Sequence, residues 1–590
     1  MSPFSDQLMQ KIKRSARNEQ LVLNLAALFV GIGASAGAVA FREAIDLVQW
    51  LFLGFRGELI VTEALRTADW RIVLAPVLGG LVVGLFTKYF MPGGTPQGVA
   101  HVIEASALKA GRMSLRQGLG AAFISAVSLG SGASVGREGP AVHLGASIAS
   151  WLGRPLHLTR AHARTLLGCG VAAAVAASFN APIAGVFFAL EVVIGHYALP
   201  AFAPIVIASV VGTIISRYWF DDQLAFLIPS YDITSFLEFP AFALLGAVSA
   251  VAAILLMKMA GIFEVKMRGL PVPRWLHPMM AGLIVGVIAL WYPQILGVGY
   301  EATDSALKEV LSFELLVILG VLKIVLTALC LGAGFGGGVF SPSLFIGAMT
   351  GGAFGIVATI PFPSLSSGHG AYTLIGMGAV AAATLGAPIS TILIIFELTG
   401  DYKLTIGVMV AVAIASLMTK IWHGDSFFAD QLNRRGLDLH GGHDMATLRS
   451  LKVHDLMKQD QVTVDEKADL ELIRDRLRQA PHNELFVVDG QEKLRGTITL
   501  AELGSIAFDK SHDREYTAID LARRAPPILS VGDDLERATR RFAEVDEGII
   551  AVVDDPKNRR LIGCLHERDV MRAYNNALLS QRAEEHGEVL

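Results

Sequence analysis

Long apolar runs that keep breaking at glycine and proline constrain this chain more than any other feature. Apolar residues dominate 21–54 (interrupted by Arg42, Glu43 and Asp46), 72–91, 118–135, 141–152, 165–194, 200–217, 236–263, 277–298, 313–334, 339–361, 371–398 and 403–421. A bilayer core offers no water to an unpaired backbone group, so only helices and closed barrels cross it. A clean helical span needs about 20 residues, and several of these runs are too short, too long or too rich in glycine for one. Sixty glycines, together with Pro140, Pro182, Pro342 and Pro388, predict helices that stop inside the membrane. Such ends are tolerated only where protein or water covers them. Charged residues make up 17% of the chain, against about 25% in soluble domains. The expected fold class is an all-α polytopic membrane protein built from broken helices.

The runs are also duplicated. Gly136-x-x-x-Pro140-x-x-x-Leu144-Gly145-Ala146 recurs as Gly338-x-x-x-Pro342-x-x-x-Ile346-Gly347-Ala348, an offset of 202. Thr165-Leu166-Leu167-Gly168-x-Gly170 recurs as Thr373-Leu374-Ile375-Gly376-x-Gly378, an offset of 208. Ala181-Pro182-Ile183 with Glu191 recurs as Ala387-Pro388-Ile389 with Glu397, an offset of 206. One match is noise, but three in order describe a repeated module. Repeats of broken helices point to a transport site between the halves, here about 21–230 and 236–435.

Within the repeat, Gly136-Arg137-Glu138-Gly139-Pro140 places a carboxylate in a turn that reads as a helix start. Proline belongs in a first helical turn, and a helix start presents unpaired N–H groups and positive partial charge to an anion. At membrane depth a carboxylate costs about 2.5–3.5 kcal/mol on insertion scales, so it marks a cavity or pathway. The matching turn, Gly338-Val339-Phe340-Ser341-Pro342, has no charge and offers backbone N–H groups alone.

The first 20 residues are polar and include Lys11, Lys13, Arg14 and Arg17, the pattern of a cytoplasmic start. A net charge of -4 with no long basic run argues against a nucleic-acid partner. The three cysteines, Cys169, Cys330 and Cys564, show no metal or redox spacing, so neither zinc nor disulfides are expected. Past residue 435 a polar linker, 436–452, leads into soluble periodicity. Residues 453–510 and 519–578 each read strand, helix, strand, strand, helix, and Val487-Val488-Asp489 matches Val552-Val553-Asp554. Such units would pair by burying their sheet faces against each other.

Over residues 20–435 these motifs resemble the CLC family of chloride channels and chloride/proton antiporters, and the tail resembles a tandem pair of CBS modules. Gly136–Pro140, Gly338–Pro342, Asn180-Ala181-Pro182 and Phe396-Glu397-Leu398-Thr399-Gly400 carry the resemblance. It implies an inverted repeat of helices, a homodimer with one anion path per subunit, a multi-pass inner-membrane location and cytoplasmic termini. It makes Glu138 the external gate and proton acceptor, occupying an anion site when ionised and leaving it when protonated. The N–H groups of Arg137, Gly139, Val339 and Phe340 would line the path. Amide dipoles suit transport because a site that holds its ion too tightly cannot release it.

Three positions depart from the family pattern. Gly93 stands where a serine hydroxyl is usual, beside Gly94 in Pro92-Gly93-Gly94-Thr95-Pro96, and Phe428 stands where a tyrosine is usual. The family's inner proton glutamate falls at Val192, next to Glu191. Glu191 reads either as a substitute on the proton path or as a structural helix-end carboxylate. Chloride/proton antiport and a passive gated channel therefore both stay open, with antiport leading. In the tail, Thr499 with Glu502, and Asp569 after His566, loosely match a cleft for an adenine nucleotide, with a dimerising role as the alternative. No cofactor is required for transport. His143, five residues past Glu138, reads as a packed or pore-facing residue or as a proton relay; His440 and His443 read as solvated.

Two readings from other classes compete. An intramembrane metalloprotease needs two histidines flanking a glutamate on one helix, and His566-Glu567 has no second histidine four residues on; no enzyme is expected. A divalent-cation channel with CBS regulation would need pore carboxylates where the repeated turns supply N–H donors.

Overall fold

A computed structural model describes residues 19–220, 226, 229, 231, 233–361, 363, 366–437, 451–480, 483–504, 506, 515–545 and 547–586. His440, His443, most of the 436–452 linker and nearly all of the first 20 residues lie outside these. The chain forms two compact units that divide between Asp438 and Leu439.

Eight helices among the described residues are long and apolar enough to cross a membrane, from Gln20–Leu53 to Tyr402–Asn433. Shorter apolar helices lie between them: Val99–Leu108, Pro182–Ile194, Arg274–Ala289 and Pro388–Thr399. The run read as 165–194 is two elements. Arg160–Phe179 ends at Asn180, which takes a left-handed φ of 57°, and Pro182 starts the next helix. Its counterpart 371–398 divides the same way, His369–Leu385 ending at Gly386 with φ 69° before Pro388. A left-handed residue followed by proline is how a helix is made to stop and restart within two residues.

The halves meet through reciprocal contacts. Gly80 abuts Pro278, where a Cβ would stand 2.5 Å from the facing carbonyl, and Gly282 abuts Pro76, where it would stand 2.1 Å away. The two residue pairs are again 202 apart, and a contact that repeats with its partners exchanged is the mark of a two-fold relation between halves. Inward-facing alanines and glycines let backbones approach closely, which is how helices associate where lipid removes the hydrophobic drive.

In the second unit each module has a three-stranded sheet. Thr463–Asp465 pairs parallel with Glu484–Val488, which pairs antiparallel with Leu494–Thr499. Ile528–Ser530, Ile549–Val553 and Leu561–His566 repeat that order. The facing sheets bury Phe486, Leu494, Ile549, Ala551, Val553 and Leu561 against one another. Packing departs from the contiguous ranges read from sequence in one respect. Val453 belongs to the core of the second module and Ala518 to that of the first, so the modules exchange their leading segments.

Candidate functional site

The two repeated turns are bonded directly to each other. Gly136 N–H donates to the Gly338 carbonyl at 2.8 Å, and Gly338 N–H donates back to the Gly136 carbonyl at 2.8 Å. The approach is tight: a Cβ on Gly338 would stand 3.0 Å from the Gly139 nitrogen, and one on Gly136 2.9 Å from the Pro342 ring. This bridge sets the starts of two buried helices, Glu138–Gly153 and Phe340–Thr359, side by side, with proline in each first turn.

Glu138 is 2% exposed and crosses from its own turn to the other helix start. One carboxylate oxygen accepts from the Ser341 backbone N–H at 3.3 Å. The other accepts from the Tyr300 hydroxyl at 3.0 Å and from the Ser341 hydroxyl. The carboxylate thus sits where an anion would sit at that N-terminus. Arg137 turns away: its guanidinium bonds Glu58 at 2.9 Å, and Arg42 bonds the same oxygen at 2.9 Å. Its Nε remains 4.0 Å from Glu138, too far for a hydrogen bond.

A cavity of about 830 Å³ reaches this point, lined by Gly93, Gly94, Glu138, Gly139, Val339, Phe340 and Phe428, with Thr95 also on its wall. The fold therefore brings together seven of the site positions read from sequence. Arg137, Glu191 and Val192 are not on the wall. Gly93 and Gly94 have φ of 68° and 61° and open space where a Cβ would project. This left-handed loop would strain a serine, which fits its absence at residue 93. Phe428 is buried, its ring centre 5.9 Å from that of Phe427.

Glu191 is a helix-end carboxylate. Its oxygens accept from the N–H groups of Ile389 at 3.0 Å and Ser390 at 2.8 Å, and from the Ser390 hydroxyl at 2.6 Å. Glu397 does the same for Ile183 at 2.9 Å and Ala184 at 2.8 Å. Each half thus caps a helix of the other, which gives Glu191 a structural role. Val192 is partly buried against the apolar core.

His143 is fully buried with neither ring nitrogen hydrogen-bonded, its ring edge-on to His101 at 6.2 Å. Sequence reading missed Tyr300, Ser341 as a side-chain donor, and Lys323. Lys323 is fully buried and donates to the carbonyls of Ile295 at 3.2 Å and Gly297 at 2.7 Å, holding the loop that leads to Tyr300. Its signal was a lone lysine in the apolar helix Phe313–Ala333; Tyr300 had no local motif.

In the second unit Thr499 and Glu502 close a capping box on each other, Thr499 N–H to Glu502 at 2.8 Å. Asp569 pairs with Lys458 at 2.5 Å, which holds its carboxyl below the usual carboxylate range.

The chain is similar to known proteins in family and in fold. The family described as Voltage gated chloride channel matches residues 79–420, and the CBS domain family matches 453–503 and 518–576. A putative chloride channel protein ClcB-like of Ralstonia nicotianae is 33% identical over 409 residues, spanning 69% of this chain and 95% of that protein. Chloride channel protein CLC-f of Arabidopsis thaliana is 31% identical over 551 residues, spanning 82% of this chain and 69% of that protein. Among solved structures, a slow cyanobacterial Cl-/H+ antiporter superposes with a TM-score of 0.63 at 23% identity, covering 70% of this chain and 97% of that one. A eukaryotic CLC transporter superposes with a TM-score of 0.62 at 20% identity, covering 93% of this chain and 98% of that one. These structures share the fold. On the family match and the curated relatives together, the chain belongs to the CLC family of voltage-gated chloride channel proteins, with a tandem CBS tail.

Proposed function

We propose that this protein exchanges chloride for protons across the membrane, with Glu138 as the gate. The observation that carries the reading is the Glu138 carboxylate lying on the Ser341 N–H at the start of the opposite repeat's helix. A carboxylate there mimics the ion it excludes. Two negative charges cannot share one poorly solvated seat cheaply, so entry of an anion and protonation of Glu138 favour each other. Chloride as the ion follows the names of the relatives. The inner-membrane placement, cytoplasmic termini and a homodimer with one path per subunit belong to the same proposal and rest on the family resemblance.

A passive channel is the second reading, and a specific observation favours it. Residue 192 is valine, and the neighbouring carboxylate of Glu191 is committed to Ile389 and Ser390. Purified protein in liposomes separates the two. Under opposed chloride and pH gradients an exchanger shows a reversal potential that moves with pH. A potential fixed by chloride alone would establish the channel, and absence of anion current would remove both.

A further inference from the structure

Three donor atoms of the second unit converge although they are far apart in sequence. The strand Leu561–His566 places Cys564 and His566 on one face, two residues apart, 1% and 6% exposed. The segment entering the first module crosses this strand. Lys458 N–H donates to the Cys564 carbonyl at 2.8 Å, and Cys564 N–H donates to the Lys458 carbonyl at 2.9 Å. Only a glycine at 563 permits the crossing, since a Cβ there would stand 2.5 Å from the Lys458 oxygen. Two residues on, Asp460 turns one oxygen onto the pair: 3.1 Å from Cys564 Sγ and 3.0 Å from His566 Nε2, with sulfur and nitrogen 3.8 Å apart.

Zinc binds sulfur at about 2.3 Å and nitrogen or oxygen at about 2.0–2.2 Å in a tetrahedron. That geometry separates neighbouring donors by roughly 3.3–3.6 Å, so shifts of a few tenths of an ångström admit a metal between these three. The nearby Lys458 ammonium is committed to Asp569. We propose that Asp460, Cys564 and His566 form a three-ligand site for a borderline-soft divalent cation of the zinc or cobalt(II) class, with its fourth position open to water. Thiolate and imidazole exclude magnesium and calcium, which take oxygen donors. On binding, the Cys564 thiol gives its proton to solvent, and His566 carries its proton on Nδ1 so that Nε2 presents a lone pair; Asp460 is already ionised. The bound metal pins the exchanged segment to the second module's sheet.

The test uses full-length, tag-free protein in detergent, titrated with Co²⁺ and then Zn²⁺. One cobalt per chain should bind, with a near-ultraviolet thiolate-to-metal band that zinc abolishes. Cys564→Ser should remove the band, which singles out this thiol because Cys169 and Cys330 are buried in the other unit. Asp460→Asn changes an exposed side chain and should leave the far-ultraviolet circular dichroism unchanged, and with His566→Gln it should lower affinity by at least about tenfold, the cost even of outer partners of a metal ligand. Absence of the band in the unaltered protein, its persistence in Cys564→Ser, or unchanged affinity in Asp460→Asn would each overturn the site.

Discussion

The two turns at the centre of the membrane unit share a backbone and differ in chemistry. In the repeat Glu138 corresponds to Phe340, Arg137 to Val339 and Gly139 to Ser341. Both open a buried helix with proline in the first turn, and each glycine bridge donor is the other's acceptor. One turn supplies the charge and the other supplies the donors that receive it. The repeat yields two matched helix starts, and a carboxylate from one lies on the N–H of the other. The Glu191 and Glu397 caps differ less: each accepts from two backbone N–H groups of the other half's helix start, with the Ser390 hydroxyl added on Glu191.

The sharpest way to break this asymmetry is Glu138→Gln. It removes the tethered charge, and hydrogen bonds to a charged group contribute about 1.5–3 kcal/mol each. Chloride flux at pH 7 should rise at least about tenfold and lose its pH dependence in liposomes; unchanged flux and pH response would deny Glu138 the gate. Next come the symmetric caps. Glu191→Gln and Glu397→Gln should each lower stability by about 2 kcal/mol, equally within error, by thermal unfolding in detergent. Glu191→Gln should leave the reversal potential where it was, whereas a shift would restore this residue to the proton path. Ser341→Ala keeps the N–H and removes the hydroxyl, so flux at pH 7 should rise by about fivefold, matching ~1 kcal/mol for one hydrogen bond. The smallest effect belongs to Phe428→Tyr, which adds a hydroxyl on the cavity wall. Chloride affinity by calorimetry should gain a few-fold, and no gain would place that hydroxyl away from the anion.

Much of the fold was legible because it is written in backbone-dictating residues. Pro140, Pro342 and Pro388 with a glycine up to four residues before each, and Pro182 after Asn180, mark where helices must start, and a repeat in such residues is a repeat in architecture. What escaped were side chains that act across large sequence distances. Tyr300 reaches Glu138 over 162 residues, with nothing in its own neighbourhood to announce it. Glu191 illustrates the intermediate case: the match with Glu397 suggested a structural role, and the cross-repeat N–H groups supplied the reason.

By itself the chain's order of residues determined that it crosses a membrane, that its halves are copies, and that one copy holds a buried carboxylate at a helix start. Those follow from hydropathy, breakers and spacing, which are local properties. Only tertiary structure decided that Glu138 rests on the other copy's Ser341, that Lys323 holds the loop before Tyr300, and that Asp460 meets Cys564 and His566. These depend on closing long loops around a two-fold core and on exchanged segments in the tail, and no local pattern encodes which distant donors such closure brings within bonding distance.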